Sequence, residues 1–143
     1  MNIDFIQGRY KFSSFKLSFY RKIISYIVEK EGFKLISLNI AFVGKKKMLE
    51  YNKTILNHCY TTDVITLDYS EANHIFADVI ICIPQVQLNA ERYSVSFEQE
   101  LARVIIHAVL HVTGYDDGKP SDRKRMRRRE DYYLKKFGML KSL

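Results

Sequence analysis

Residues 96–117 read SFEQELARVIIHAVLHVTGYDD. Ser96 is a good helix N-cap, Gln99 completes a capping-box pattern, and Glu98 and Glu100 complement the dipole of the first turns. Gly114 stands where a helix C-terminus favours a residue of positive φ. The spacing predicts a helix over 97–113. At about 100° per residue, Leu101, Val104, Ile105, Ala108 and Val112 share one face, while Ile106, Val109 and Leu110 fall on others. A helix that is apolar nearly all round is buried. Against that background Glu100, Arg103, His107 and His111 form one narrow polar stripe.

Outward from this helix, residues 2–7 read as a short strand. Over 14–31, Leu17, Tyr20, Ile24, Ile27 and Val28 recur at helical spacing, and Gly32 ends that helix. Over 34–43, Ile36, Leu38, Ile40 and Phe42 point one way and Ser37, Asn39 and Ala41 the other, a half-buried strand. A short helix is predicted over 44–56. Strands follow over 64–67 and 75–83, split by a polar turn at 70–73. Pro84 closes the second and opens a helix over 85–93. Pro120, Ser121 and Asp122 open a last helix that runs to Phe137. No repeat or linker divides the chain, so residues 1–143 read as a single domain. The expected class is α+β: a mixed sheet of about four strands, helices packed on it, and the buried helix carrying the His-x3-His pair.

The chain of 143 residues is 47% hydrophobic and 27% charged, which excludes disorder as its main state. No apolar run approaches the roughly 20 residues of a membrane span. The first residues lack the basic and apolar regions of a signal peptide. Cys59 and Cys82 lie far apart and fit two thiols in a reducing compartment. A soluble cytoplasmic protein is expected. The net charge of +7 is local. Residues 1–117 hold 13 basic and 13 acidic residues, whereas residues 118–143 hold 10 and 3. Such asymmetry points to an anionic partner, nucleic acid or a membrane surface.

His107 and His111, spaced i and i+4, put two imidazoles on one side of the helix, within reach of one metal ion. A chain that turns at Gly114 can return Asp117 to their side. Two histidines and a carboxylate on Zn2+ leave a fourth position open, the mark of a catalytic site. The zincin protease pattern needs Glu after the first His as its base. Here that residue is Ala108, which disfavours peptide hydrolysis by that route.

The same run resembles the signature of the YbeY family of metal-dependent endoribonucleases, His-Gly-x-Leu-His-Leu-x-Gly-Tyr-Asp-His. His107, Ala108, Leu110, His111, Val112, Gly114, Tyr115, Asp116 and Asp117 occupy the corresponding places. TTDVITLDY, residues 61–69, resembles the family's Thr-Asp-Val-Leu-Ser-Phe strand, and Ala77-Asp78-Val79-Ile80-Ile81 resembles Gly-Asp-Ile-x-Ile. Three departures stand out. Asp117 replaces the family's third histidine, which widens the expected metal from Zn2+ toward Mn2+. Ala108 replaces a glycine. Leu56 stands where the family tends to carry an arginine, so another residue must meet the RNA there.

The resemblance implies an endoribonuclease that acts on single strands in 16S ribosomal RNA 3′-end processing, with ribosomal RNA and the small subunit as partners. It places Glu100 and Glu130 at family positions, and Asp63 and Asp78 at strand ends near a cleft. Glu130 is expected to reach a basic or metal-proximal group. His107, His111 and Asp117 are the expected metal-holding and catalytic residues. Arg103, one turn before His107, joins them as a phosphate contact, or else pairs with Glu100. On the last helix Met126, Tyr133, Phe137 and Leu140 make an apolar stripe, with Leu134 beside it. Around it Arg123, Lys124, Arg125, Arg127, Arg128 and Arg129 form an expected RNA-binding face. A membrane is the rival for that face, but it would need the apolar stripe that packing uses. His58 and His74 read as surface histidines. Two other functions fit the residues: a different metallohydrolase, or a ribosome-assembly factor with a structural metal.

Overall fold

Alternating side chains make strand β2 (Lys34–Val43) the spine of the sheet. In the computed structural model, which describes residues 2–56 and 62–140, it runs parallel to β1 (Ile3–Ile6) and to β4 (His74–Cys82). Strand β3 (Val64–Asp68) pairs antiparallel with β4, giving the order β1-β2-β4-β3. Among the described residues these four strands are joined by five α-helices: α1 (Ser14–Lys30), α2 (Lys45–Tyr51), α3 (Ile83–Tyr93), α4 (Phe97–Val112) and α5 (Pro120–Lys136). A π-helical turn, Asn52–Leu56, continues α2. The expected α+β class and mixed four-stranded sheet are therefore present, with each predicted element ending within a few residues of its expected place. His58, Cys59 and Thr61, and the side chain of Leu56, lie outside the described residues. None of the described helices is long and apolar enough to cross a membrane.

One strand residue departs from the alternation. Leu35 pairs with Ile75 and Ser37 with Phe76, so Ile36 bulges out of register. Leu38, Ile40 and Phe42 keep the expected inward face, and the bulge displaces Ile36 from it.

The two faces of the sheet differ. Leu38, Ile40, Phe42, Ala77, Val79 and Ile81 face the main core, which α1 and α4 complete. Ile65, Ile80 and Cys82 face a smaller core closed by Met48 of α2. Cys82 is a buried free thiol. Helix α4 packs against α1, α3, α5, β3 and β4. Leu101, Ile105, Ile106 and Leu110 are essentially inaccessible. Burying each contributes about 1.5–3 kcal/mol, which makes α4 a fixed platform for its polar stripe.

Caps set the ends of α4. Ser96 Oγ accepts from Gln99 N at 3.1 Å. At the other end Gly114 takes φ +103, and Tyr115 N donates to Leu110 O at 3.0 Å while Gly114 N donates to His111 O at 3.2 Å. This is the Schellman arrangement, which a non-glycine residue at position 114 would strain.

A second tie joins the ends of three elements. Glu31, just past α1, accepts from Tyr115 Oη at 2.9 Å, from Arg129 Nε and Nη2 at 3.0 and 2.8 Å, and from Tyr133 Oη. Burial opposes ionisation of this carboxylate. The hydrogen bonds from Tyr133, Arg129 and Tyr115, with the charge of Arg129, outweigh it and hold the pKa below the ordinary 4.5. A depressed native pKa adds stability above the unfolded pKa and loses it as pH falls through the native value. Glu31→Gln is therefore expected to be less stable than the parent near neutral pH, with the gap closing as urea midpoints are measured at successively lower pH below about 4.5. A gap that stays constant to strongly acid pH would show that the carboxylate's charge is not what holds these elements.

Candidate active site

The polar stripe of α4 opens into a cleft of about 600 Å³ between α4, α5, α3 and the start of β3. Asp63, Asn89, Glu100, Arg103, His107, Asp117, Arg123, Lys124, Arg127 and Glu130 supply its polar lining. The body and the basic tail thus meet at one cavity.

Glu130 of α5 organises the head of the cleft and is 4% exposed. One carboxylate oxygen accepts from Arg103 Nη1 at 2.9 Å and the other faces His107 Nδ1 at 2.7 Å. Arg103 Nη2 also donates to Asp131 Oδ1 at 2.8 Å. Glu130 thus reaches a basic group, Arg103, as expected, and also the imidazole of His107. Arg103 pairs with Glu130 and Asp131 instead of Glu100, because α5 brings two carboxylates to its guanidinium. Those bonds engage Nη1 and Nη2 of a guanidinium that also lines the cleft.

The hydrogen-bond partners decide the tautomers. Glu130, already paired with Arg103, is an acceptor, so His107 Nδ1 carries hydrogen. Tyr115 O is also an acceptor and lies 3.1 Å from His111 Nδ1. Each neutral imidazole then presents its Nε2 lone pair outward, the form that binds a cation. His107 Nε2 lies 3.4 Å from Asp117 Oδ2. A lone pair facing a carboxylate needs a proton or a cation between them. Burial works against a charged His107, but the Glu130 hydrogen bond and the charges of Glu130, Asp117 and Asp63 overcome it and raise its pKa.

His107 and Asp117 are therefore together at the cleft. His111, one turn on, is exposed and lies outside the cleft lining. Among the described residues no three of His, Cys, Asp and Glu are gathered closely enough to enclose a metal ion. The donor chemistry fits one all the same: two Nε2 lone pairs and a carboxylate, with both histidines held from behind.

Asp63 lines the cleft and accepts from Asn89 Nδ2 at 3.2 Å, and Asn89 Oδ1 accepts from Gln85 Nε2 at 3.1 Å. Burial pushes Asp63 up against the pull of His107, and pushes Glu100 up against the pull of Arg103. Asp78 does not reach the cleft. It alternates onto the face of Ile80 and Cys82 and accepts from Asn39 Nδ2 at 3.0 Å. His74 is the exposed first residue of β4.

The basic face of α5 divides by helical geometry. Arg123, Lys124 and Arg127 line the cleft. Arg125 lies over the Tyr115 ring at 4.9 Å, and Arg129 is engaged by Glu31 and the rings of Tyr132 and Tyr133. Arg128 is exposed. Glu31, Asn89 and Asp131 escaped the sequence reading, since contacts such as Glu31–Tyr115, 84 positions apart, leave no local pattern.

A family model described as Endoribonuclease YbeY matches residues 2–138. The chain belongs to the YbeY family. The YbeY endoribonuclease of Chlorobium phaeovibrioides is 40% identical over 118 residues, covering 82% of this chain and 80% of that one. That of Karelsulcia muelleri is 38% identical over 124 residues, covering 87% and 88%. A Thermotoga maritima protein solved in solution superposes with a TM-score of 0.70 at 26% identity, over 94% of this chain and 88% of that one. The matched residues take in the N-terminal strand and helix, which lie outside the three motifs that carry the resemblance in sequence.

Proposed function

We propose that this chain is a metal-dependent endoribonuclease that cuts single-stranded RNA, with the small ribosomal subunit as its cytoplasmic partner and 16S ribosomal RNA 3′-end maturation as its step. Family membership supports the reaction class. The observation that carries the reading is His107, held through Nδ1 and beside Asp117 at the head of a cleft lined by Arg123, Lys124 and Arg127, with His111, also held through Nδ1, one helical turn on at its edge.

His107, His111 and Asp117 would hold the cation through two Nε2 atoms and a carboxylate oxygen. Two imidazoles suit Zn2+, and the carboxylate in place of a third histidine extends the choice to Mn2+. When bound, the cation supplies Lewis acidity and charge neutralisation at the scissile phosphate. Glu130 keeps His107 in its Nδ1–H tautomer, and Arg103 keeps Glu130 in place. Arg123, Lys124 and Arg127 grip backbone phosphates and set which bond reaches the head of the cleft. Exposed Arg125 and Arg128 extend the attraction, while Arg129 serves the fold through Glu31.

Purified protein is expected to cut a labelled single-stranded RNA with Zn2+ or Mn2+ and to stop on chelation. Metal-free protein cutting at the full rate would overturn the reading, as would cleavage of a peptide but not RNA.

The phosphate grip has its own test. Replacing Arg123, Lys124 and Arg127 together with alanine should weaken RNA binding and lower the slope of log K against log salt by about 2, at roughly 0.7 per phosphate contact for single strands. Metal content should not change. An unaltered slope places the RNA elsewhere.

A further inference from the structure

We propose that Glu31 is a positioning residue for the candidate metal site: through Tyr115 it fixes the carbonyl that orients His111. This rests on the reading of His111 as a metal-holding residue.

The geometry runs through one residue. Tyr115 is anchored at every polar group it has. Its N–H closes the Schellman turn onto Leu110 O at 3.0 Å. Its carbonyl lies 3.1 Å from His111 Nδ1. Its hydroxyl donates to Glu31 Oε1 at 2.9 Å, and the Arg125 guanidinium covers its ring. His111 itself is exposed, so its ring is not wedged by packing. Its orientation falls to the Tyr115 carbonyl.

Glu31 has more partners than joining two helices requires. Arg129 and Tyr133 already tie it to α5. The Tyr115 bond adds the loop that carries Asp117 two residues later. Glu31 is outside the cleft lining, and its side chain is 10% exposed. A fixed carboxylate thus pins the tyrosine ring, the ring pins its own peptide plane, and the plane holds hydrogen on His111 Nδ1 and leaves Nε2 free. Without the pin the carbonyl can rotate away, and a free imidazole protonates either nitrogen.

Two hydroxyl deletions on the same carboxylate separate positioning from simple stabilisation. Tyr115→Phe removes the link to the loop. Tyr133→Phe removes one of the links from Glu31 to α5 but leaves the Arg129 bonds and the Glu31–Tyr115 link to the loop in place. Zn2+ affinity is measured by competition with a chromophoric chelator, and the His111 tautomer by long-range proton–nitrogen NMR on metal-free protein. Tyr115→Phe is expected to bind Zn2+ about 10- to 100-fold more weakly and to lose the pure Nδ1–H signature. Tyr133→Phe is expected to keep both, whatever it costs in stability. Glu31→Gln, if folded, should follow Tyr115→Phe.

Wild-type affinity and an unchanged tautomer in Tyr115→Phe would overturn the proposal, as would equal losses in the two variants. If the parent protein takes up no Zn2+, the metal reading fails. The metal-free NMR comparison then still decides whether Glu31 and Tyr115 orient His111.

Discussion

Arg103→Ala is expected to destabilise the protein by about 3–5 kcal/mol, the range for stripping one partner from a buried ion pair. Glu130 is 4% exposed and Arg103 9%. Removing the guanidinium leaves the buried Glu130 carboxyl group with only His107 to answer it, and leaves Asp131 without its 2.8 Å partner. Urea unfolding measures the loss. The double variant Arg103→Met, Glu130→Leu should recover most of it, because replacing a whole buried pair with apolar groups of similar size is often neutral or stabilising. That variant should still cut RNA poorly, since His107 Nδ1 has lost its acceptor. A cost below about 1 kcal/mol for Arg103→Ala would mean the pair is solvated and worth no more than a surface salt bridge.

The same pair marks how far the sequence could be read. Periodicity over 97–113 was sufficient for the buried helix and its stripe, because a 3.6-residue pattern is local. Pro84, Gly114 and Pro120 punctuated the chain where helices begin or end. Glu130 was legible as a charge too near an apolar stripe to lack a partner. Its partners were not legible, because they depend on the angle at which α5 crosses α4. The same holds for Arg103, whose local alternative, Glu100, sits one turn away but loses to two carboxylates arriving from 27 and 28 positions downstream. Asp78 failed for a different reason. A strand has two faces, and a motif match does not say which of them meets the cleft. The bulge at Ile36 likewise needs knowledge of the partner strand.

His107→Ala should invert the pattern expected for Arg103: little loss of stability and nearly complete loss of function. Glu130 keeps its Arg103 bond when the imidazole goes, so no carboxylate is stranded. Alanine is the better helix former, and position 107 is only half-buried on the cleft side of α4. The urea midpoint should therefore shift by no more than about 1 kcal/mol. Function has no such reserve. His107 offers the Nε2 that lies beside Asp117 and, among the described residues, is the one histidine in the cleft lining. Loss of groups that merely support a metal-holding side chain costs about 10- to 100-fold. Loss of the donor itself should exceed the upper end of that range in Zn2+ affinity and take RNA cleavage below detection. RNA binding measured without metal should persist, because Arg123, Lys124 and Arg127 are untouched. If His107→Ala cuts RNA at more than about a tenth of the parental rate, the chemistry does not pass through the head of this cleft, and the basic wall must deliver RNA to a different set of residues.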